Sequence, residues 1–505
     1  MKTLKTIWLW CLSVLFTTPL FSTIYEAGQG KTFPTVTDAL SQASPGDTVH
    51  IFGIITADGN TGNGIVINKN IVLLGQGVDQ TIVEGGASLS VSDRRVFSVM
   101  PGNSVFISGM TIRFGNTSGN GGAIENLGIL YLKNCMIESN KARYGGALRN
   151  GLSAQLYLEN CVLKNNTALL RGGAVNHIGA VLQIERCSIE GNQAFDEGGG
   201  VQIENSNAEI RNSLIYNNIL VADTVHSNGA GLFAGTSGKA IQISLTNCTI
   251  SNNKGKTSGN YLTCGGGMGI ISSNGSCVVN LINCTFTENT VYCGQSIQAY
   301  SYNDPATVHF NLLNCILASG FTDNFFGYTQ NGGKITFNRT YTILQDNTIL
   351  VSGQGNINNM DAELEILADN GGLTKTHALK PTSPAIDAGT SVGAPLLDQR
   401  GASRNGKTDI GAFEFGGVIG IRDNDSQKGI IMVYPNPVTD VVLLLNPEGM
   451  NVRFKIIDIT GRLLIEDNVN EKTKSIDLHN LSSGIYLLLI ENSEKQLVQV
   501  EKLVK

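Results

Sequence analysis

The sequence predicts an all-β protein in which a right-handed, single-stranded parallel β-helix is followed by a small Ig-like β-sandwich. A short phrase recurs about every 26 residues at seven anchors, and the composition changes after Gly417. The chain of 505 residues holds 60 Gly, and its charged fraction of 15% is well below the usual quarter. Gly is a poor helix former, which argues against a helical protein. An apolar content of 41% is enough for a core, so general disorder is excluded.

Residues 1–22 have the pattern of a signal peptide. Lys2 and Lys5 supply the positive end, and residues 7–16 are nearly all apolar. This apolar run is too short to span a bilayer, and a short buried helix is the alternative interpretation. We expect cleavage near Ser22, export, and a mature chain that is soluble or attached to a surface.

The main signal is internal repetition. An Asn-Cys phrase, or a close variant of it, recurs with a spacing of 26 through the first four copies and with spacings of 35, 36 and 31 in the later ones. The anchors are Cys135, Cys161, Cys187, Ser213, Cys248, Cys284 and Cys315. An Asn follows at the fifth position after each of the first six anchors, at Asn140, Asn166, Asn192, Asn218, Asn253 and Asn289, and Gly320 takes this place after the seventh. A Gly-Gly-Ala-Ile phrase runs in step, for example at residues 121–124 and 145–148.

Short alternating segments separate the phrases, which predicts half-buried strands and one β-helix coil per repeat. Stacked coils lie about 4.8 Å apart, so equivalent side chains form columns. Inward Cys acts as a small hydrophobe, Asn tolerates left-handed turns and can bond to neighbouring coils, and paired Gly permits sharp corners. Parallel Cβ vectors suit a disulfide poorly, so we expect buried free thiols. Cys264 and Cys293 form a second stacked pair, and Cys277 has no repeat partner.

Both ends of the β-helix should be covered, because open sheet edges invite aggregation. Residues 33–43 predict a short amphipathic helix, and residues 48–52 predict the first strand. This segment resembles the start of pectin-lyase-like β-helices, which implies an N-terminal helix over the core. The predicted β-helix domain extends over residues 23–417.

Polar residues cluster near the end of this domain and resemble the terminal module of the choice-of-anchor Q family of bacterial surface proteins. The resemblance covers about 35 residues, and a salt-bridged cap over the last coil is favoured over a catalytic acid pair. The predicted cap residues are Asp387, Asp398, Arg400, Gly401, Arg404, Asp409, Gly411 and Glu414.

Residues 105–317 resemble the repeats of polymorphic outer-membrane proteins. Residues 121–124 match their Gly-Gly-Ala-Ile phrase, and Phe286 with Asn289 matches their Phe-x-x-Asn phrase. Members of that family are surface adhesins, although they use an autotransporter barrel that is not found in this sequence.

After a predicted linker over residues 418–429, the composition of residues 430–505 predicts about seven short strands and a tight hairpin at Thr460 and Gly461. This segment resembles the type A sorting domain of type IX secretion in certain Gram-negative bacteria. The resemblance implies export across the outer membrane and contact with the secretion machinery, with an ordinary binding sandwich as the alternative. The matching residues are Tyr434, Pro435, Asn436, Pro437, Leu481, Gly484, Tyr486, Lys502 and Lys505.

The function is predicted to be non-catalytic adhesion or glycan binding, with a polysaccharide lyase or glycoside hydrolase of the pectin-lyase-like fold as the alternative. No pectate-lyase or polygalacturonase pattern is found, and no cofactor or metal is expected. A charged strip is predicted where Arg143-Tyr144, Leu170-Arg171 and Asp196-Glu197 each precede a Gly corner. Arg143 or Arg171 of this strip is a candidate charge neutraliser of a lyase, with the nearby His177 as base, and a solvated face is the alternative interpretation. Lys141, Arg149 and Glu204 also lie near the strip. A net charge of −6 argues against nucleic acid, and a monomer that binds extracellular or host-surface glycan is expected.

Overall fold

The computed structural model describes residues 23–58, 62–222, 224–320, 323–348, 353–404, 406–419, 431–434, 438, 440–446, 450–458, 462–471, 473–491 and 497–505. The predicted signal peptide, most of the predicted linker, the hairpin at Thr460 and Gly461, and residues 435–437 lie outside the described residues.

Most of the described chain is a parallel β-helix, as the repeat predicts. A regular coil runs through Ile124–Asn126, Ile129–Lys133, Met136–Glu138 and Lys141–Tyr144 before the next coil begins. The equivalent strands of successive coils pair in parallel, so four sheets run along the β-helix. In this coil, Ile124–Asn126 belongs to sheet 2, Ile129–Lys133 to sheet 1, Met136–Glu138 to sheet 3 and Lys141–Tyr144 to sheet 4.

Sheets 1, 2 and 3 enclose the core. Sheet 1 comprises Ile24–Ala27, Thr48–Ile51, Ile71–Leu74, Ser104–Ser108, Ile129–Lys133, Gln155–Glu159, Val181–Glu185, Ala208–Arg211, Ala240–Thr246, Ser276–Ile282, Thr307–Leu313 and Lys334–Thr340. Sheet 2 comprises Ile65–Ile67, Phe97–Val99, Ile124–Asn126, Leu148–Asn150, Val175–His177, Val201–Glu204, Leu232–Ser237, Met268–Ser273, Ile297–Tyr302 and Phe325–Gln330. Sheet 3 comprises Gly53–Thr56, Thr81–Glu84, Thr111–Arg113, Met136–Glu138, Val162–Lys164, Ser188–Glu190, Leu214–Tyr216, Thr249–Ser251, Thr285–Thr287, Ile316–Ala318, Ile343–Leu344 and Ile357–Asn358.

Sheet 4 is shorter and borders sheet 2 at the Gly corners. It comprises Lys141–Tyr144, Thr167–Arg171, Gln193–Ala194 and Ile219–Leu220, and a separate pair of strands, Ser227–Asn228 and Thr263–Cys264, lies in the following coils.

The cysteine column is confirmed. Met136 pairs with Val162, and Val162 with Ser188, so the preceding Cys135, Cys161 and Cys187 stand in single file. The thiols are free and buried, and each of these three donates to the carbonyl oxygen two positions earlier at 3.2–3.3 Å. Burial raises the pKa of the Cys135 and Cys161 thiols, which keeps them protonated.

The free-thiol prediction is wrong for Cys264 and Cys293, which form a disulfide. They lie opposite each other in neighbouring coils with their Cα atoms 4.7 Å apart. This pair lies outside the core column, in the corner before the Gly turn, where the backbone geometry differs from that of the inward-facing ladder. Stacked cysteines therefore remain free thiols in the ladder and form a disulfide at the corner.

A column of buried asparagines closes the corner between sheets 3 and 4. The Asn166 side-chain amide donates to Asn192 Oδ1 at 3.0 Å, and the Asn192 amide donates to Asn218 Oδ1 at 3.0 Å. The left-handed residue in this corner is the one before each ladder Asn, such as Asn165 (φ 56°) and Asn217 (φ 52°). The predicted left-handed role of Asn therefore belongs to the preceding position and to the residue before each of the seven anchors, which is Asn everywhere except at Arg186 (φ 52°).

The N-terminal end is covered by a helix, Val36–Gln42, whose Val36, Ala39 and Leu40 are buried. Thr35 caps it and accepts a hydrogen bond from the Asp38 backbone N–H at 3.1 Å. The strand predicted at residues 48–52 is present as Thr48–Ile51. It is not the first strand, because Ile24–Ala27 precedes the helix and pairs with it in parallel as one more rung of sheet 1.

The segment after the last coil folds back along the outside of sheet 3. It contains an antiparallel hairpin, Leu364–Ala368 and Thr376–Leu379, and continues to Gly417. Its hydrogen bonds reach Asn247, Thr249, Ser251, Asn283, Thr285 and Asn314. It is therefore a lateral cover over several coils, and the predicted placement over the last coil alone is wrong. Small and hydroxyl-bearing side chains on this part of sheet 3 form a flat surface to which the segment is hydrogen-bonded.

The C-terminal part is a sandwich of two antiparallel sheets, as predicted. One sheet comprises Met432–Tyr434, Val441–Leu445 and Thr473–Asp477. The other comprises Leu463–Val469, Val452–Asp458, Ile485–Glu491 and Leu497–Val504. Alternate residues such as Val442, Phe454, Ile456 and Leu488 fill the core between them.

The asparagine ladder predicts a large effect for Asn192→Ala. Asn192 Oδ1 accepts two bonds from Asn166, and its amide also donates to the Leu163 carbonyl at 2.9 Å. Buried groups left without partners cost about 1–3 kcal/mol each, so we expect roughly 2–4 kcal/mol of lost unfolding free energy in urea titrations. Exposed Gln183→Ala is the control and should change stability by less than about 0.5 kcal/mol. Equal effects of the two changes would contradict the ladder.

Thiol accessibility tests the cysteine assignment. In native protein without reductant, an alkylating reagent should leave the seven buried thiols unmodified: Cys135, Cys161, Cys187, Cys248, Cys277, Cys284 and Cys315. In denaturant these thiols should react, whereas Cys264 and Cys293 should react only after reduction. Peptide mass spectrometry gives the readout, and labelling of Cys264 in unreduced denatured protein would disprove the disulfide.

Candidate functional site

The outer face of sheet 2 carries a polar column in the middle coils. Glu125, Arg149, Asn176 and Gln202 follow one another in register. Val175 belongs to the core, so Asn176 faces outward by the alternation of a strand. Asn176 is nevertheless only 2% exposed and Gln202 0%, so flanking side chains cover them on this face, which we call the recess.

One wall of this recess is the predicted charged strip. Tyr144, Arg171 and Glu197 stack in consecutive coils just before the Gly corners. The Arg171 guanidinium lies 3.1 Å from Glu197 and 3.4 Å from Asp196. Arg143 is exposed, and its guanidinium lies 5.5 Å from the centre of the Tyr144 ring.

Arg149 differs from the other arginines of this face. Arg95 pairs with Glu125, and Arg171 pairs with two carboxylates, whereas Arg149 makes no ion pair within the described part of the chain. Its guanidinium lies 5.8 Å from the Tyr144 ring centre, and burial lowers its pKa. The charges of Glu125 and Glu204 act on Arg149 from beyond ion-pair distance. A partly desolvated cation without a direct ion-pair partner is suited to bind an anionic group of a ligand.

Glu197 has the most perturbed carboxyl group of the strip. Burial raises its pKa to about 7, and the charges of Asp196 and Glu204 act in the same direction against the opposing effect of Arg171. A carboxyl group with a pKa near neutrality can accept or donate a proton under physiological conditions. Glu204 is exposed and lies within electrostatic range of Arg149, Arg171 and Glu197.

His177 faces the interior. Its ring is 0% exposed, and Nδ1 lies 2.9 Å from the side-chain amide nitrogen of Asn150. Asn150 Oδ1 in turn accepts a hydrogen bond from the side-chain amide of Asn126 in the preceding coil. Burial and the charge of Arg149 lower the pKa of His177 to about 3, so the ring is neutral. The structure therefore places Arg171 and Arg143 on the strip beside the recess and leaves His177 in the interior.

Sequence reasoning noted Arg149 only as a neighbour of the strip. Its role follows from register, because the residue after the first apolar position of each sheet 2 strand faces outward. Aligning the Gly corners would have placed Glu125, Arg149 and Asn176 in one column. The unpaired state of Arg149 depends on side-chain geometry that the repeat does not encode.

The predicted cap residues form a buried ion network inside the lateral cover. Arg400 binds Asp398 at 2.7 Å, and Arg404 binds Glu414 at 3.0 Å. Asp398 also accepts backbone N–H groups of Arg400 and Ala402, and Gly401 and Gly411 take left-handed turns. Asp387 has an exposed side chain, and only its backbone N–H reaches Asp409. This set is consistent with a structural role, which stays a prediction.

Four of the predicted sorting residues lie close together in the sandwich, namely Leu481, Gly484, Tyr486 and Lys505. Lys505 Nζ donates to the carbonyl oxygens of Leu478 and Leu481 at 2.6 and 2.8 Å. Gly484 and Lys505 exchange two backbone hydrogen bonds, and the Tyr486 hydroxyl donates to the Ser482 carbonyl at 2.6 Å. Tyr434 and Lys502 lie in strands, and Pro435, Asn436 and Pro437 lie outside the described residues.

Two general features of the described residues bear on the site. They contain no group of three or more His, Cys, Asp or Glu side chains arranged to hold a metal ion. Within the same residues, no helix is both long and apolar enough to cross a membrane.

Residues 432–505 match the family described as "Secretion system C-terminal sorting domain". This match supports the predicted sorting domain and its contact with the type IX secretion machinery. The chain is accordingly exported to the cell surface or the extracellular space.

No curated protein matches the chain. One solved structure, described as "Structure of PL6 family alginate lyase AlyGC", is 12% identical with a TM-score of 0.25. The alignment covers 76% of this chain and 59% of that one, so this chain spans about three fifths of that protein's length. The β-helix assignment rests on the strand register described above.

The raised pKa of Glu197 makes stability depend on pH. The free carboxyl group titrates near pH 4.3, so the folded state holds this proton more tightly than the unfolded state. The unfolding free energy therefore falls as pH rises from about 4.5 to about 7. Glu197→Gln should remove this pH-dependent contribution to the unfolding free energy. The stability of the variant relative to the wild type should therefore rise by roughly 2–3 kcal/mol between about pH 5 and about pH 8. Urea titrations at both pH values give the readout, and a stability difference between the two proteins that does not change with pH would contradict the assignment.

Proposed function

We propose that the exported β-helix binds an acidic polysaccharide along the recess of sheet 2, as a surface or secreted glycan-binding protein. The observation that supports this proposal is the unpaired Arg149 at the floor of the recess. A guanidinium binds a carboxylate through two parallel hydrogen bonds, which suits the uronic acid units of acidic glycans. The polar column runs in register through four coils, so a chain of sugars could lie along it.

The proposal predicts the behaviour of Arg149→Gln. Loss of a charge-assisted contact costs about 1.5–3 kcal/mol, so affinity for alginate or polygalacturonate should fall roughly 10- to 100-fold. Calorimetric titration at low and high salt is the measurement, and salt should weaken wild-type binding more than variant binding.

Arg211→Gln is the matched control, because it removes the same charge from the outer face of sheet 1. It should bind acidic glycans as the wild type does. Equal affinities of the wild type and Arg149→Gln, or no binding of either polysaccharide by the wild type, would refute the proposal.

A second candidate function is β-elimination of the same class of glycan, and the raised pKa of Glu197 favours it. In this reaction Glu197 would take the C5 proton of a uronate held by Arg149. The C4–O bond then breaks, a C4–C5 double bond forms, and the departing oxygen takes a proton from water. The predicted base is thus Glu197 in place of His177, which is buried and neutral.

Product analysis separates the two functions. A lyase releases unsaturated oligosaccharides that absorb ultraviolet light, and Glu197→Gln should then abolish turnover while binding persists. Binding without product supports the non-catalytic function.

A further inference from the structure

A second concave site lies farther along the same face, where the repeat lengthens. Successive ladder asparagines are separated by 26 positions in the regular coils, and by 35 and then 36 in the later ones. Some of the extra residues lie before the Gly corner, where six positions separate Asn192 from Gly198 but twelve separate Asn253 from Gly265. Others lengthen sheet 2, whose strands grow from three residues in Val175–His177 to six in Ile297–Tyr302.

The residues inserted before the Gly corner build a wall. Ser227–Asn228 pairs with Thr263–Cys264, and the Ser227 and Thr263 hydroxyls lie 2.7 Å apart. The Leu262 N–H donates to His226 Nδ1 at 3.2 Å, and the Cys264–Cys293 disulfide ties the wall to the next coil. The wall is therefore held by backbone pairing, side-chain bonds and a covalent link.

The lengthened strands of sheet 2 carry an aromatic column opposite this wall. Tyr300 and Tyr328 occupy equivalent positions in neighbouring coils, with ring centres 6.0 Å apart. Tyr300 also contacts Phe326 at 6.1 Å, and Tyr302 contacts Tyr328 at 6.2 Å. Tyr300 and Tyr302 are partly exposed, and Tyr328 is 46% exposed.

A cavity of about 410 Å³ lies between the wall and the aromatic column, and we call it the aromatic cleft. It is lined by His226, Ser227, Asn228, Leu262, Cys264, Ile271, Tyr300, Tyr302, Phe326 and Tyr328. Its volume falls within the range of sites for small ligands. One side offers ring faces, and the other offers an imidazole, a hydroxyl and an amide. These described lining residues include no carboxylate, Lys or Arg.

We propose that the aromatic cleft binds a neutral pyranose unit of an oligosaccharide. The apolar C–H face of the sugar would stack on the tyrosine rings, and its hydroxyl groups would bond to His226 and Asn228. The absence of acidic and basic groups from the described lining favours a neutral sugar over a uronate.

This site is separate from the recess at Arg149. Arg149 and Gln298, which lies in the strand of Tyr300, are joined by register through Asn176, Gln202, Phe233 and Gly269, so five coil steps, or about 24 Å, separate Arg149 from Tyr300 along the axis. Binding at the aromatic cleft therefore does not depend on the proposed function of Arg149.

Calorimetric titration of the exported protein with short cello-, malto-, manno- and xylo-oligosaccharides tests the proposal. At least one of them should bind saturably, and Tyr300→Ala and Tyr328→Ala should each weaken it about tenfold or more. Tyr328 is half exposed, so its removal should leave the fold intact by circular dichroism. Tyr216→Ala, in sheet 3, is the matched control and should bind as the wild type does.

Arg149→Gln keeps this test independent of the acidic-glycan proposal, because it should leave neutral-sugar binding unchanged. No saturable binding of any of the four series would overturn the proposal. Wild-type affinity in both cleft variants, or an equal loss in Tyr216→Ala, would also overturn it.

Discussion

In-register stacking of coils at about 4.8 Å is the constraint on which the rest of the structure depends. Each side chain meets its own equivalent in the next coil, so a residue type must be compatible with itself or with its stacked partner. Asn satisfies this rule because its side-chain amide donates a hydrogen bond to the side-chain Oδ1 of the next Asn in the column. Charged residues satisfy it by alternating sign, as Glu138 and Lys164 do at 3.3 Å and Lys133 and Glu159 do at 3.2 Å.

The candidate binding sites lie where this rule is relaxed. Arg149 stands between Glu125, which is paired with Arg95, and Asn176, which bonds to Gln202, so it has no direct ion-pair partner among the described residues. Farther along, inserted residues interrupt the regular coil and raise a wall beside an aromatic column. The regular coils form a long, rigid scaffold, and the positions that depart from the repeat carry the side chains suited to bind ligands.

The sequence was most informative where the repeat is strict. The cysteine column, the asparagine ladder and the Gly corners follow from periodicity, because equivalent positions must stack. It was least informative where contacts are local or distant. The disulfide of Cys264 depends on corner geometry, the burial of His177 depends on which way one strand residue faces, and the lateral cover bonds across more than 100 positions, as between Asn283 and Asp409. In the sequence, the wall beside Tyr300 was indicated only by the longer spacing between the repeat anchors.

Deletion of one whole coil tests the stacking account most directly. Removing residues 162–187 takes out one full repeat, joins Cys161 to Ser188 and brings Asn140 into register with Asn192. The account predicts a folded protein with cooperative urea unfolding, whereas removal of residues 162–174, half a coil, should abolish cooperative unfolding. Equal disruption by both deletions, measured by circular dichroism and urea titration, would contradict it.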